Sequence, residues 1–338
     1  MNQKKKLLLI GTGGTIASRY TKDGLSPAID IDELISFVPE ASAFCSVDTV
    51  QPFALDSTNM GPERWLELAS LIEQKYDHYD GFVICHGTDT MAYTAAALSY
   101  LVQNNRRPIV LTGSQKPIDL AVTDAKTNLL DSLRFACDDR ACGVVIVFGG
   151  LAIAGTRAKK ERSKSYNAFS SINYPPIAVI QDDRIAFYID DKIHITSPLI
   201  VSKVMDSRVF LLKLIPGGDG MMLDLMRKEA DAVIIESFGV GGLPDYGGNS
   251  FYKAISRYIE EGKQIIMSTQ VVHEGSDMSV YEVGKTMKTA FDLPESYDMT
   301  LEACVTKTMW ALGRTKEPEE FRRLFYTPVS HDLLFSPL

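Results

Sequence analysis

Short, fully apolar runs that each stop at a small polar turn recur through the first half of the chain, at 7–10, 81–85, 108–111 and 143–148. A run this short reads as a strand. One with no polar member needs cover on both faces. Between these runs lie stretches with helical spacing: 63–76, with Trp65, Leu66, Ala69, Leu71 and Ile72; the Ala- and Leu-rich 89–102; and 124–137. Such alternation predicts a parallel sheet between helical layers, joined by right-handed crossovers. A further strand is expected to end near Leu55. Past residue 150, segments 177–180 and 185–189 read as short edge strands, and the polar 190–208 as a linker. A second α/β rhythm follows, with strands at 209–215, 232–235 and 264–268 and helices near 220–229, 250–260, 300–312 and 318–326. The expected fold class is therefore α/β with two domains, each a mainly parallel sheet flanked by helices. The larger N-terminal domain is placed at 1–190, a linker at 191–208 and the smaller C-terminal domain at 209–338. The length of 338 residues fits this division, since a single core stops growing at roughly 250–300 residues.

A net charge of -8 argues against nucleic-acid and membrane partners, which call for basic patches. Lys4, Lys5 and Lys6 precede an apolar run of only 7–10, too short for a signal-peptide core of ~7–15 residues. No stretch approaches the ~18 apolar residues of a membrane span, so a cytoplasmic location is expected. Five cysteines, an odd number with no CxxC, point away from a disulfide framework or zinc site. Cys85 and Cys137 read as small core residues.

In a parallel sheet, ligands bind beyond the carboxyl ends of the strands, so the turns after the strands carry the most information. The first is Gly11-Thr12-Gly13-Gly14-Thr15-Ile16-Ala17. Its glycines allow close backbone approach, and Thr15 offers a hydroxyl nucleophile. The same turn also suits a phosphate cradle, but GTGGT is not GxGxxG and no Walker lysine follows. Asp56-Ser57-Thr58-Asn59-Met60 reads as a capping turn or as a second wall of the crevice. His86-Gly87-Thr88-Asp89-Thr90-Met91 sets Thr88 and Asp89 at a helix N-terminus, where free N–H groups attract negative charge. There Asp89 either caps the helix or serves chemistry, and His86 reads as a structural histidine. Thr112-Gly113-Ser114-Gln115-Lys116-Pro117 reads as pocket lining. A threonine hydroxyl needs help to lose its proton. The cluster Arg157, Lys159, Lys160, Arg162 and Lys164 provides a candidate, with four of the five expected in solvent.

These motifs, in this order, resemble the bacterial-type L-asparaginases, and most closely their cytoplasmic type I members: GTGGTIA, DSTNM, HGTDTMAYT, TGSQ, GTRAKK, ESFGVGG and DMTLEACVTK. The resemblance runs from residue 7 to beyond 310. It implies hydrolysis of the side-chain amide of L-asparagine to L-aspartate and ammonia, through an acyl-enzyme and without a cofactor or metal. Thr15 matches the nucleophile. Thr88, Asp89 and Lys160 match a second catalytic group, for which Lys160 is expected to be partly desolvated. Ser57 and Asp56 match the grip on the substrate α-carboxylate, and Asp89 the acceptor of the α-ammonium. Many members carry a tyrosine on a lid loop where this chain has Leu25, with Tyr20 nearby but out of register. Some cytoplasmic members have an allosteric asparagine site lined by an Arg and a Cys, where this chain has Glu236 and Val271. The resemblance also implies a homodimer or homotetramer, with 237–249, including Asn249, as the segment approaching a partner's site.

Three rivals stand beside this reading. The related component of an archaeal tRNA-dependent amidotransferase also carries TGGTIAS but has an extra N-terminal domain, which a first strand at residue 6 is expected to leave out. A glutamine-preferring relative differs in substrate by one methylene, worth only ~1–3 kcal/mol of discrimination. A non-catalytic sensor would need the glycine loop but not Lys160.

Overall fold

The computed structural model describes residues 4–335 apart from 23, 245–247, 249 and 281. It divides into two compact units, Met1–Lys203 and Val204–Leu338. In chain order the first unit contains β1 (Lys5–Gly11), β2 (Ser18–Thr21), β3 (Gly24–Pro27), α1 (Ile31–Ser36), β4 (Cys45–Val50), α2 (Pro62–Lys75), β5 (Gly81–Cys85) and α3 (Met91–Leu101). It continues through β6 (Val102–Gln103), β7 (Ile109–Thr112), α4 (Ala125–Cys137), β8 (Val144–Phe148), β9 (Leu151–Ala154), β10 (Ala158–Lys160), β11 (Phe169–Ser171), β12 (Ala178–Gln181), β13 (Arg184–Phe187) and β14 (Ile200–Val201).

Eight of these strands form one sheet in the order β13-β12-β9-β8-β7-β5-β1-β4. The pairs from β4 to β8 are parallel, and those from β8 to β13 are antiparallel. Every residue of β5, β7 and β8 is buried, which explains their unbroken apolar sequence. Helix α3 is buried along nearly its whole length, while α4 buries the stripe Leu129, Leu133, Phe135 and Ala136. The antiparallel turn-back at β9 uses Gly149 and Gly150, both at positive φ, as a two-residue hairpin loop requires.

One expectation needs correction. The strand before the 56–60 turn is β4, which stops at Val50; Leu55 makes only an isolated bridge to Gly13. β4 lies at the sheet edge with a half-polar sequence, so it lacks the unbroken apolar signature of its neighbours. Within 190–208, β14 pairs antiparallel with β6 through Val201 and Val102, and Ser202 N donates to Leu101 O.

The second unit holds β15 (Val209–Lys213), α5 (Met221–Met226), β16 (Ala232–Ser237), α6 (Ser250–Glu260), β17 (Gln264–Thr269), α7 (Glu282–Phe291), α8 (Leu301–Arg314) and α9 (Pro318–Tyr326). Its three strands are parallel in the order β15-β16-β17. Helix α7 was not expected from the sequence. The amphipathic α6 buries Phe251, Ala254, Ile255 and Tyr258 in this unit's core. Inside α8 the fully buried Lys307 donates to Asp332 Oδ2 at 2.6 Å and to Thr327 O at 2.8 Å, tying down the segment after α9. No described helix is long and apolar enough to cross a membrane.

Candidate active site

Four turns meet beyond the carboxyl ends of β1, β5 and β7, and glycines let them do so. Gly13 and Gly14 have φ of 101° and 81°, in the left-handed region that disfavours other residues. A Cβ on Gly13 would collide with the Leu55 backbone, and one on Gly14 with the Gly87 backbone. A Cβ on Gly87 would in turn lie 2.6 Å from Ser57 Oγ, and one on Gly113 would collide with His86 O. Turns 11–17, 55–59, 86–90 and 112–115 are thus packed backbone against backbone. Gly14 N donates to Leu55 O at 3.0 Å, Leu55 N to Thr12 O at 2.8 Å and Thr12 N to Cys85 O at 3.0 Å.

Thr15 opens a single 3-10 turn, Thr15–Ala17, and is half-buried. Ile16 beneath it is fully buried, which fixes the turn. Ser57 is buried, and its carbonyl accepts from Thr90 Oγ1 at 2.6 Å. Asp56 is the N-cap of the short turn Ser57–Asn59. Its exposed carboxylate accepts from Thr58 N and Thr58 Oγ1, both at 2.9 Å.

Lys160 arrives from a separate direction. It is the last residue of β10, paired with Phe169 of β11, whose ring packs at 5.1 Å centroid distance on Phe148. Lys160 Nζ donates to Thr88 Oγ1 at 2.7 Å and to Asp89 Oδ1 at 2.6 Å. The Lys160 side chain is 17% exposed and that of Asp89 61%, so this pair is shielded from solvent on the lysine side. Thr88 is buried, and its hydroxyl also lies 3.5 Å from Gln115 Oε1.

Helix α3 begins at Met91 with Thr90 as N-cap, so Thr88 and Asp89 precede the helix rather than opening it. The Asp89 carboxylate engages Lys160 rather than capping the helix. The basic cluster also differs from expectation: Arg157 is fully buried, with its guanidinium 5.7 Å from the Tyr174 ring centroid. β10 runs inward from Gly155, which itself lies against Ala95 and Ser99 of α3; the sequence count of charges could not reveal that direction.

His86 is structural in its contacts. Trp65 Nε1 donates to Thr94 Oγ1 at 2.9 Å, and Thr94 Oγ1 lies 2.9 Å from His86 Nε2. His86 Nδ1 lies 2.6 Å from Gly87 O. A carbonyl only accepts, so Nδ1 carries the proton, and Nε2 accepts from the Thr94 hydroxyl. Burial pushes the imidazole down to about 4, which keeps it neutral as this chain of bonds requires. Sequence reading missed the supports of the fourth turn. Asp124 accepts from Gln115 N at 2.9 Å and Lys116 N at 3.2 Å. Asn128 donates to Gly113 O at 2.9 Å and accepts from Gly149 N at 3.0 Å. Burial raises the Asp124 carboxyl above its ordinary range, and those backbone N–H bonds oppose the rise. An Asp-x-x-x-Asn pair opening a helix after a strand-end turn was the available signal.

The segment after Thr15 forms a hairpin of β2 and β3, with Tyr20 directly opposite Leu25; both are exposed. Arg19, within β2, forms ion pairs with Glu33 and, at 3.4 Å, with Asp119. Glu236 is buried and lies 3.6 Å from Lys213 Nζ, while Val271 is exposed. Of 237–249, positions 245–247 and Asn249 lie outside the described residues.

Hydroxyls, a carboxylate and a lysine thus gather at the strand ends of a mixed α/β sheet, the make-up of an enzyme site. The chain belongs to the asparaginase family: the profile for "Asparaginase, N-terminal" matches residues 6–192, and that for "Glutaminase/Asparaginase C-terminal domain" matches 208–325. An L-asparaginase of Thermococcus kodakarensis is 37% identical over 97% of this chain and 99% of its own length. One subunit of a glutamyl-tRNA(Gln) amidotransferase of Pyrococcus abyssi is 34% identical over 97% of this chain but only 76% of its own. Among solved structures, the thermostable L-asparaginase of T. kodakarensis superposes with a TM-score of 0.90 at 35% identity, covering 98% of this chain and all of that one. L-asparaginase I of Vibrio cholerae does so with a TM-score of 0.87 at 27% identity, over 98% of this chain and 100% of its own.

Proposed function

We propose that this protein hydrolyses the side-chain amide of L-asparagine to L-aspartate and ammonia, with Thr15 as nucleophile. The observation that carries the reading is the convergence of Lys160 Nζ on Thr88 Oγ1 and Asp89 Oδ1, 2.7 and 2.6 Å away. It is supported by the glycine-packed turns that bring Gly14, next to Thr15, against the same turn.

In this mechanism the Thr15 oxygen bonds to the amide carbon and the C–N bond breaks. The proton from the Thr15 hydroxyl ends on the departing ammonia. Water then attacks the aspartyl ester, and its proton returns to Thr15. Lys160 and Asp89 hold and polarise the Thr88 hydroxyl, which relays protons in one or both halves. Backbone N–H groups of the 86–90 turn face the developing oxyanion, a contribution worth ~3–4 kcal/mol per donor. Ser57 and Asp56 hold the α-carboxylate end, and Asp89 accepts from the α-ammonium. The reaction as written draws on no cofactor, and the working unit is a homo-oligomer in a cytoplasmic setting.

The relation to an amidotransferase component supplies a second reading, in which the amide is opened to feed ammonia to a partner. Ammonia release from purified protein with L-asparagine or L-glutamine, beside a Thr15→Ala variant, decides between them. Fast release from free asparagine, slower from glutamine and a loss of about 10³-fold or more in the variant fits the proposal. A well-folded wild type that releases none from either amide ends it.

A further inference from the structure

The hairpin of β2 and β3 follows the Thr15 turn directly and is tied to it at the base. Ala28 N and Ile29 N both donate to Ala17 O, at 3.0 and 2.9 Å, and Ser18 Oγ donates to Gly14 O at 2.9 Å. β3 lies against the Thr15–Ala17 turn itself. Beyond the base, one face of the hairpin carries Tyr20 and Leu25, paired across the strands and both exposed. Successive strand residues point to opposite faces, so Arg19 belongs to the other. There Arg19 Nη2 engages the Glu33 carboxylate, and Arg19 Nε lies 3.4 Å from Asp119 Oδ2. Two different nitrogens are used, so both pairs stand at once.

The two acidic partners sit on fixed ground. Glu33 lies in the first turn of α1, which buries Ile31 and Leu34, and Gln51 Oε1 accepts from Ile31 N at 2.9 Å. Asp119 follows Ile118, which is fully buried and donates its N–H to Ile16 O at 3.3 Å. One guanidinium thus ties the hairpin to two anchors that are far apart in the chain.

We infer that Arg19 is a positioning residue: its paired contacts with Glu33 and Asp119 latch the β2–β3 hairpin beside the Thr15 turn, in the form of the protein that takes up substrate. The kinetic side of this inference rests on the reaction proposed above. Arg19 acts through the hairpin and takes no part in the chemistry. Exposed ion pairs are weak, and two of them together favour the latched hairpin by about 2- to 30-fold. A ligand that binds only the latched form loses apparent affinity in proportion to the released fraction. Loss of Arg19 therefore raises KM and leaves kcat of the bound enzyme in place. Salt screens exposed charges, so it should release the latch in the wild type as well.

The test measures ammonia release against L-asparagine concentration for wild type, Arg19→Met and Arg19→Lys, at low and at high sodium chloride. Hydrogen exchange of the β2 and β3 amides is read by mass spectrometry on the same samples. Arg19→Met should raise KM about two- to tenfold at unchanged kcat and speed that exchange, while the melting temperature holds. Arg19→Lys keeps the charge but not the forked donor, so its KM should fall between the two. High salt should raise the wild-type KM and leave that of Arg19→Met nearly where it was. An Arg19→Met protein with wild-type KM and wild-type exchange overturns the inference, and so does a fall in kcat alone. If the wild type releases no ammonia, the proposed reaction fails separately and exchange still decides the latch: faster in Arg19→Met supports it, unchanged ends it.

Discussion

Both units end parallel strands in turns rich in small hydroxyl residues, yet they use them differently. In the second unit the hydroxyls bind one another and the backbone. Ser237 Oγ donates to Ser268 O at 2.7 Å, Ser296 Oγ to Ser268 Oγ at 3.0 Å, and Thr269 Oγ1 to Gly239 O at 2.5 Å. Gln270 Nε2 closes the set on Leu214 O and Glu236 O at 2.7 and 3.0 Å. In the first unit Thr88 and Asp89 instead converge on a lysine from β10. The same sheet edge becomes structural mortar where its polar groups satisfy each other. It becomes a candidate site where a cation delivered from elsewhere engages them. The two lysines repeat the contrast: Lys160 is 17% exposed beside an open carboxylate, and Lys307 and Asp332 are sealed at 0%.

The largest test of that contrast is Lys160→Met. Loss of an assisting group of this kind costs about 10²–10⁴-fold in kcat, with asparagine still bound and the melting temperature little changed. A variant that bound ligand normally and lost no turnover would remove Lys160 from the chemistry. Lys307→Met should do the reverse. Stranding the buried Asp332 carboxylate costs about 3–5 kcal/mol of stability, read by denaturant unfolding, while kcat of the folded fraction holds. If the Lys307→Met protein lost turnover but not stability, the division between the units would fail.

A comparable effect comes from His86, through pH. Its folded value is depressed from 6.5 to about 4, so the unfolded chain binds the extra proton between these values. The stability due to the neutral ring is therefore complete above pH 6.5 and is lost as pH falls toward 4, a span worth ~3 kcal/mol. The stability gap between wild type and His86→Gln should narrow over that range, measured by denaturant unfolding at several pH values. A constant gap would mean that the ring is not held neutral.

The smallest pair of effects sharpens the packing argument. Gly14→Ala meets both a positive φ and the Gly87 backbone, so it should cost about 1–3 kcal/mol and displace the Thr15 turn, lowering activity. Gly242→Ala in the second unit has open space and should stay within about 0.5 kcal/mol of wild type. Thermal melts of the two variants side by side check this.

The sequence by itself determined most of the strands and helices in the core. Residues 81–85 and 250–260 carry the pattern of β5 and α6 without ambiguity, because burial on both faces or along one stripe must be written in side-chain type. It also marked the polar strand-end turns, since Gly, Thr, Ser and Asp have few other reasons to cluster directly after apolar runs. Tertiary structure alone decided the half-polar edge strand β4 and the β8–β9 turn-back, whose local patterns are weak. It alone sent Arg157 inward and Lys160 onto Thr88 and Asp89, because the path of β10 across α3 is set by packing at Gly155, Ala95 and Ser99. Spacing along a chain encodes local geometry, but contacts between distant segments depend on how the finished layers meet.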